Sequence, residues 1–203
     1  YRPFEQAVLA RAAAIVATSQ AYLDASTALA RWKRKAEVIA LGVNASTQPA
    51  GASPAWPVAN SLRLLSVGRL SHYKGHAVLL EAMARAPGMS LVLIGDGEER
   101  QRLHALATRL GIHDRIAFLA DASDTDLLAA YAAADLFVLP SLDRSEAFGL
   151  VLLEAMRAGL AVVASDIAGS GIGHVVENGM NGLLVAPGDT TGLAQALLRL
   201  GDR

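Results

Sequence analysis

No cysteine occurs in the 203 residues, so disulfide cross-links and thiol chemistry are excluded and nothing marks an oxidising compartment. Net charge is nearly absent as well, since 18 basic and 19 acidic side chains leave a formal −1. That balance gives no electrostatic reason to expect nucleic acid as a partner. No uninterrupted apolar run approaches the ~20 residues of a membrane span. The richest stretch, 149–164, is broken by Glu154 and Arg157. Position 1 is Tyr rather than Met, and no charged leader followed by an apolar core opens the chain. The expectation is a soluble globular piece of a longer polypeptide. What is present, 53% of it hydrophobic, is ample for one well-buried domain and short for two.

Six short apolar runs recur, at 64–67, 91–94, 116–119, 136–139, 161–164 and 183–185. Each is nearly continuous rather than alternating, as expected of strands covered on both faces. Amphipathic stretches at 76–85, 98–110, 124–134 and 149–158 lie between them. Strand alternating with helix predicts an α/β fold, a Rossmann-like doubly wound parallel sheet of six strands. The first sixty residues differ. They predict a strand at 13–17, a helix at 20–35 and a short strand at 38–41, then a Ser-, Ala-, Pro- and Gly-rich linker over 44–60.

In an open α/β sheet, ligands bind beyond the carboxyl ends of the strands, so the residues just after each run carry the chemistry. The first is followed by Gly68-Arg69-Leu70-Ser71-His72-Tyr73-Lys74-Gly75. Glycine permits close backbone approach, and two cations five residues apart can converge on an anion or stand in solvent as a charged loop. The second is followed by Gly95-Asp96-Gly97-Glu98-Glu99-Arg100, which lacks the third glycine of a dinucleotide fingerprint and predicts a tight turn and a helix start. Gly169-Ser170-Gly171-Ile172-Gly173 also misses that spacing, though its amides suit an anion-binding nest. The phosphate-loop consensus fails because Gly75, not Ser or Thr, follows Lys74. Asp124-Thr125-Asp126 has a metal-like spacing, but after Ser123 and before an apolar run it reads as a helix cap. The five histidines lack coherent ligand spacing, and no metal or cofactor is expected.

After the fourth run comes Pro140-Ser141-Leu142-Asp143-Arg144-Ser145-Glu146-Ala147-Phe148-Gly149-Leu150, with Glu154 further along. Glu146 precedes the expected helix, and Glu154 lies within it among Val151, Leu152, Leu153 and Met156. A carboxylate there needs donors. A ribose offers two adjacent hydroxyls; a neighbouring side chain or solvent would serve equally.

The Glu146-x7-Glu154 spacing in its Pro-Ser…Glu-Ala-Phe-Gly-Leu-Val-Leu-Leu-Glu-Ala-Met setting resembles the signature of family 4 of the retaining GT-B glycosyltransferases. So do Val67-Gly68-Arg69 with Lys74-Gly75, Ile94-Gly95-Asp96-Gly97, Tyr131 with Asp135, and Asn181-Gly182-Leu183 with Pro187-Gly188-Asp189. The order matches over roughly residues 37 to 200. The resemblance implies one half of a GT-B fold: the domain that binds a nucleotide-diphosphate sugar donor. It implies that Arg69 and Lys74 hold the diphosphate and neutralise the leaving group. Glu146 would lie by the transferred sugar, and Glu154 would bond the ribose. Backbone near Gly68, Phe148, Gly149 and Leu150 would meet phosphate and sugar oxygens, and the base would lie near Leu119 and Ala120. Catalytic roles would fall to Arg69, Lys74 and Glu146.

It also implies a domain plan: 1–44 as a remnant of the acceptor domain and the crossing, 45–60 as linker, and 61–203 as donor domain with a truncated final helix. The acceptor, a glycan or lipid-linked sugar, would bind the other domain. The full-length protein is expected in the cytoplasm, with peripheral association at the inner face of the membrane. Arg31-Trp32-Lys33-Arg34-Lys35 reads first as a solvated helix end and second as a membrane-facing patch. Two departures stand out. Ala147 follows the first signature Glu where the family usually has Gly. Gly171-Ile172-Gly173-His174 stands where many members carry Gly-Gly-x-x-Glu. Other readings are a sugar-nucleotide epimerase of the same architecture and a non-catalytic nucleotide-sugar-binding subunit.

Overall fold

The computed structural model describes residues 2–43 and 51–201; the stretch of linker expected over 45–50 lies outside them. Six parallel strands form the central sheet: β3 (Leu62–Val67), β4 (Met89–Ile94), β5 (Ile116–Leu119), β6 (Leu136–Leu139), β7 (Ala161–Ser165) and β8 (Gly182–Val185), in the order β5-β4-β3-β6-β7-β8. Alternate residues of each strand feed opposite cores. Leu64, Leu91, Leu93, Leu136 and Val138 face one cluster, with α3 (His76–Arg85), α4 (Arg100–Arg109) and α8 (Thr190–Gly201). Leu65, Val92, Phe137 and Leu139 face the other, with α5 (Asp124–Ala133), α6 (Leu150–Arg157) and α7 (Ile172–Val175). Burial on both faces is why the runs are continuously apolar. The expected doubly wound sheet is present. Its order reverses between β3 and β6, which places a crevice beyond their carboxyl ends.

Ser123 caps α5, its hydroxyl accepting from the Asp126 amide with Asp124 and Asp126 in the first turn, as its sequence required.

The amino-terminal part is a second small unit: α1 (Arg2–Arg11), β1 (Ile15–Ala17), α2 (Gln20–Ala25) and β2 (Ala36–Val38), with β1 and β2 paired in parallel. The helix expected over 20–35 is corrected here. It ends at Ala25, because Ser26 turns extended and its hydroxyl accepts from the Leu29 amide. A serine that satisfies a following turn competes with helix continuation. Turns follow, then a 3-10 turn at Lys33–Lys35. The next strand lies at Ala36–Val38 rather than 38–41. Helix α1 was not expected, and it buries none of its residues. Among the described residues no helix is long and apolar enough to cross a membrane.

Candidate functional site

At the reversal point, three loops are knitted together by backbone. The Gly68 amide bonds Ile94 O at 2.9 Å, Leu70 N bonds Asp96 O at 2.9 Å, and Gly95 N bonds Leu119 O at 2.8 Å. The loop after β3 then makes a 3-10 turn, His72–Lys74, closed by Gly75 at φ +68°. A β-carbon on Gly75 would lie 2.0 Å from Pro140 O, so only glycine lets this turn rest on the loop after β6. Leu142 N bonds Tyr73 O at 2.7 Å in the same seam.

That seam buries one ion pair. The Lys74 ammonium lies 2.6 Å from a Glu146 carboxylate oxygen, and Ser141 Oγ donates to the same oxygen at 3.0 Å. The ammonium also lies against Gly68, where an added β-carbon would stand 3.3 Å away. Gly68, Lys74 and Glu146 are therefore brought together. Arg69 is not: its side chain is 72% exposed and its nearest carboxylate is Glu98 at 3.4 Å. Such a pair in water contributes little.

The Glu146 loop is fixed from behind by residues 169–171. Ser170 Oγ donates to the Glu146 carbonyl, and Gly171 N bonds Ala147 O at 2.7 Å. Ser170 N goes to Ile167 O and Ile172 N to Ser170 Oγ. The expected anion-binding nest is thus corrected. The amides of Ser170, Gly171 and Ile172 are already committed, and the segment is a clamp on the Glu146 loop. Gly149, at φ +81°, starts α6. Phe148 sends its ring into the core, so its backbone is what it offers the crevice. Leu150 is exposed at the first turn, where a helix leaves its N–H groups free for anions.

Glu154 is half-buried on α6, and the Tyr131 hydroxyl of α5 donates to it at 2.9 Å. Burial, and then the Glu154 charge, push that hydroxyl above its ordinary pKa, so it remains a donor. The neighbouring-side-chain partner left open for Glu154 is therefore Tyr131, and one donor leaves acceptor capacity on the carboxylate. Asp135, four residues on, serves elsewhere. It takes two bonds from the Arg63 guanidinium and one from the Arg63 amide, which hold its pKa below the usual range and fix β3 against β6. His76, behind Lys74, is buried with both ring nitrogens unpartnered. Burial, and next the Lys74 charge, lower its pKa to about 4. Sequence reasoning missed it; its one signal was the position after Lys74-Gly75.

A concavity of about 300 Å³ lies beyond β4 and β5, lined by Ile94, Leu119, Asp121, Ala122, Asp126, Ala130 and Ala52–Pro54. It includes Leu119, one of the two residues expected near the base.

The family model of glycosyl transferases group 1 matches residues 57–202. The chain belongs to the group 1 glycosyltransferases.

Within that group it is similar to the D-rhamnosyltransferase WbpZ of Pseudomonas aeruginosa, 32% identical over 97% of this chain and 52% of that protein. It is 42% identical to the lipopolysaccharide core biosynthesis glycosyltransferase LpsE of Rhizobium meliloti, over 66% of this chain and 38% of that one. The chain thus spans about half or less of these relatives' lengths. Among solved structures, Anabaena HepE in complex with UDP-glucose superposes with a TM-score of 0.79 at 30% identity, covering 98% of this chain and 57% of that one. The doubly wound sheet of this group 1 glycosyltransferase is accordingly one Rossmann-like half of a GT-B fold.

Proposed function

We propose that this chain is the donor-binding half of a retaining glycosyltransferase and that the crevice between β3 and β6 holds a nucleotide-diphosphate sugar. The observation that carries this is the buried Lys74–Glu146 pair set against Gly68 at the reversal of strand order. In this arrangement Lys74, Arg69 and the first turn of α6 meet the diphosphate, the base occupies the concavity beside Leu119, and Glu154, oriented by Tyr131, accepts from the ribose. Glu146 meets the sugar. As the bond from the anomeric carbon to the diphosphate breaks, its electron pair goes to the phosphate oxygen. Lys74 and Arg69 stabilise that charge, which is commonly the largest catalytic contribution. An acceptor hydroxyl adds to the anomeric carbon, and its proton passes to the departing phosphate oxygen.

The acceptor, a glycan or lipid-linked sugar, belongs to a second domain of which residues 1–44 are a remnant and the crossing; 45–60 are linker and 61–203 the donor domain. Exposed Val16, Val38, Ile39 and Leu41 on and beside the β1–β2 pair support that division, since parallel strands are normally covered on both faces. Peripheral association with a membrane is proposed for the full-length protein alone.

Calorimetric titration of the chain with nucleoside diphosphates and their sugars tests the proposal. Binding of at least one nucleotide sugar, lost on Lys74→Met in a folded variant, is expected. No binding at millimolar ligand, or an unaltered affinity in that variant, would overturn it.

A further inference from the structure

The amino-terminal unit touches the donor domain at the loop that carries Glu146, and one side chain makes the connection. Arg144, two residues before Glu146, donates from Nη1 to Ala25 O at 2.9 Å and from Nε to Gly169 O at 3.2 Å. Its guanidinium also lies 5.4 Å from the Tyr22 ring centre. Ala25 is the last residue of α2, where carbonyls have no helical partner and a cation is favoured by the helix dipole. The planar fork of arginine serves both carbonyls while staying within cation–π reach of the ring, a combination that lysine reproduces only in part.

A second observation points to the same junction. Gly169 has φ +74°, and a β-carbon there would lie 2.5 Å from Ala25 Cβ and 3.1 Å from Arg144 Nε. The backbone has been left bare where α2 comes to rest. From Gly169 the path is short: Ser170 Oγ bonds Glu146 O, and Gly171 N bonds Ala147 O at 2.7 Å. One arm of the Arg144 fork therefore holds α2 and the other holds the 169–171 clamp, while the residue itself stands in the Glu146 loop.

We infer that Arg144 is a positioning residue that couples the seating of α2 to the placement of Glu146, so that the amino-terminal unit influences how the donor's sugar, rather than its nucleotide, is held. This rests on the proposal that Glu146 meets the transferred sugar. Coupling is reciprocal: if α2 orders the Glu146 loop, a ligand that engages Glu146 must order α2.

The test uses the full chain with Arg144→Met, which keeps a long apolar stem over Tyr22 and removes the fork, and Arg144→Lys. Hydrogen exchange across residues 20–25 is measured free, with a nucleoside diphosphate and with its nucleotide sugar, and both affinities are measured by calorimetry. In the wild type, the nucleotide sugar slows exchange at 20–25 more than the bare diphosphate does. Arg144→Met leaves affinity for the bare diphosphate within about twofold, weakens the nucleotide sugar about tenfold, and abolishes the sugar-dependent protection. Arg144→Lys restores part of each, and carries the test by itself if the methionine variant does not fold. A purely structural contact would change exchange at 20–25 in the free chain without altering its response to the sugar. Sugar-dependent protection and sugar affinity that match the wild type in both variants would overturn the coupling and leave the donor site standing. A wild-type chain that binds neither ligand would overturn both.

Discussion

Lys74 and Glu146, 72 residues apart in sequence, meet ammonium to carboxylate at 2.6 Å in a buried seam. A buried ion pair gains little over an apolar one, yet losing one partner strands the other charge. The lysine proposed to receive a diphosphate is therefore already engaged, and any anion that takes it must share it with Glu146.

Neutralising Glu146 is expected to raise affinity for a bare nucleoside diphosphate while lowering the stability of the free chain. In Glu146→Gln the stranded ammonium costs roughly 3 kcal/mol or less, because the amide oxygen still accepts. The diphosphate then restores the balance, so it should raise the melting temperature of Glu146→Gln more than that of the wild type. Differential scanning fluorimetry with and without ligand reads this. Equal ligand-induced shifts would mean that the pair does not compete with phosphate.

Glu154→Gln should weaken a nucleotide sugar and its bare diphosphate alike, by about tenfold, the scale of a hydrogen bond to a charged group. Tyr131→Phe removes the donor seen at 2.9 Å and should cost about 1 kcal/mol of stability, with a smaller loss of affinity. If Glu154→Gln spared the bare diphosphate, Glu154 would not be a ribose ligand.

His76 gives acid sensitivity of defined sign. Its pKa falls from the ordinary 6.5 to about 4 on folding, so below 6.5 the unfolded chain takes up a proton that the folded chain refuses. The stability contribution is complete above pH 6.5 and declines as pH falls towards 4, by about 3 kcal/mol in all at 1.36 kcal/mol per unit. Urea midpoints at pH 7 and 4.5 should converge more in His76→Leu than in the wild type. An equal decline in both would show that other groups set the acid response.

Ser170→Ala leaves the Glu146 carbonyl without its buried donor, an expected loss of about 1–3 kcal/mol. Since the carboxylate keeps Lys74 and Ser141, affinity for the bare diphosphate should hold within a few-fold. A variant as stable as the wild type would remove Ser170 from the clamp.

The six strands were legible because the central four are largely buried on both faces and the two edge strands partly so, which wrote nearly continuous apolar runs. The amino-terminal cap of α5 was legible because Ser123 and its partner Asp126 are local. What was not legible came from distance. Glu146 could be placed near a sugar by resemblance, but its bond to Lys74 spans 72 residues of sequence. The 169–173 segment reads as an anion nest until its amide partners at Ile167 and Ala147 are known. Gln20–Lys35 has the composition of one helix, and only the turn that Ser26 caps shows why it stops. The outward-facing Phe4 and Val8 of α1 leave no core face to recognise.

The most direct measurement is a calorimetric titration of one nucleotide sugar and its bare diphosphate into the wild type, Glu146→Gln and Glu154→Gln. The expected result is that Glu154→Gln loses about tenfold on both ligands, while Glu146→Gln gains on the bare diphosphate and loses its preference for the sugar-bearing form. Parallel losses on both ligands in both variants would contradict the division of the crevice between Glu146 and Glu154.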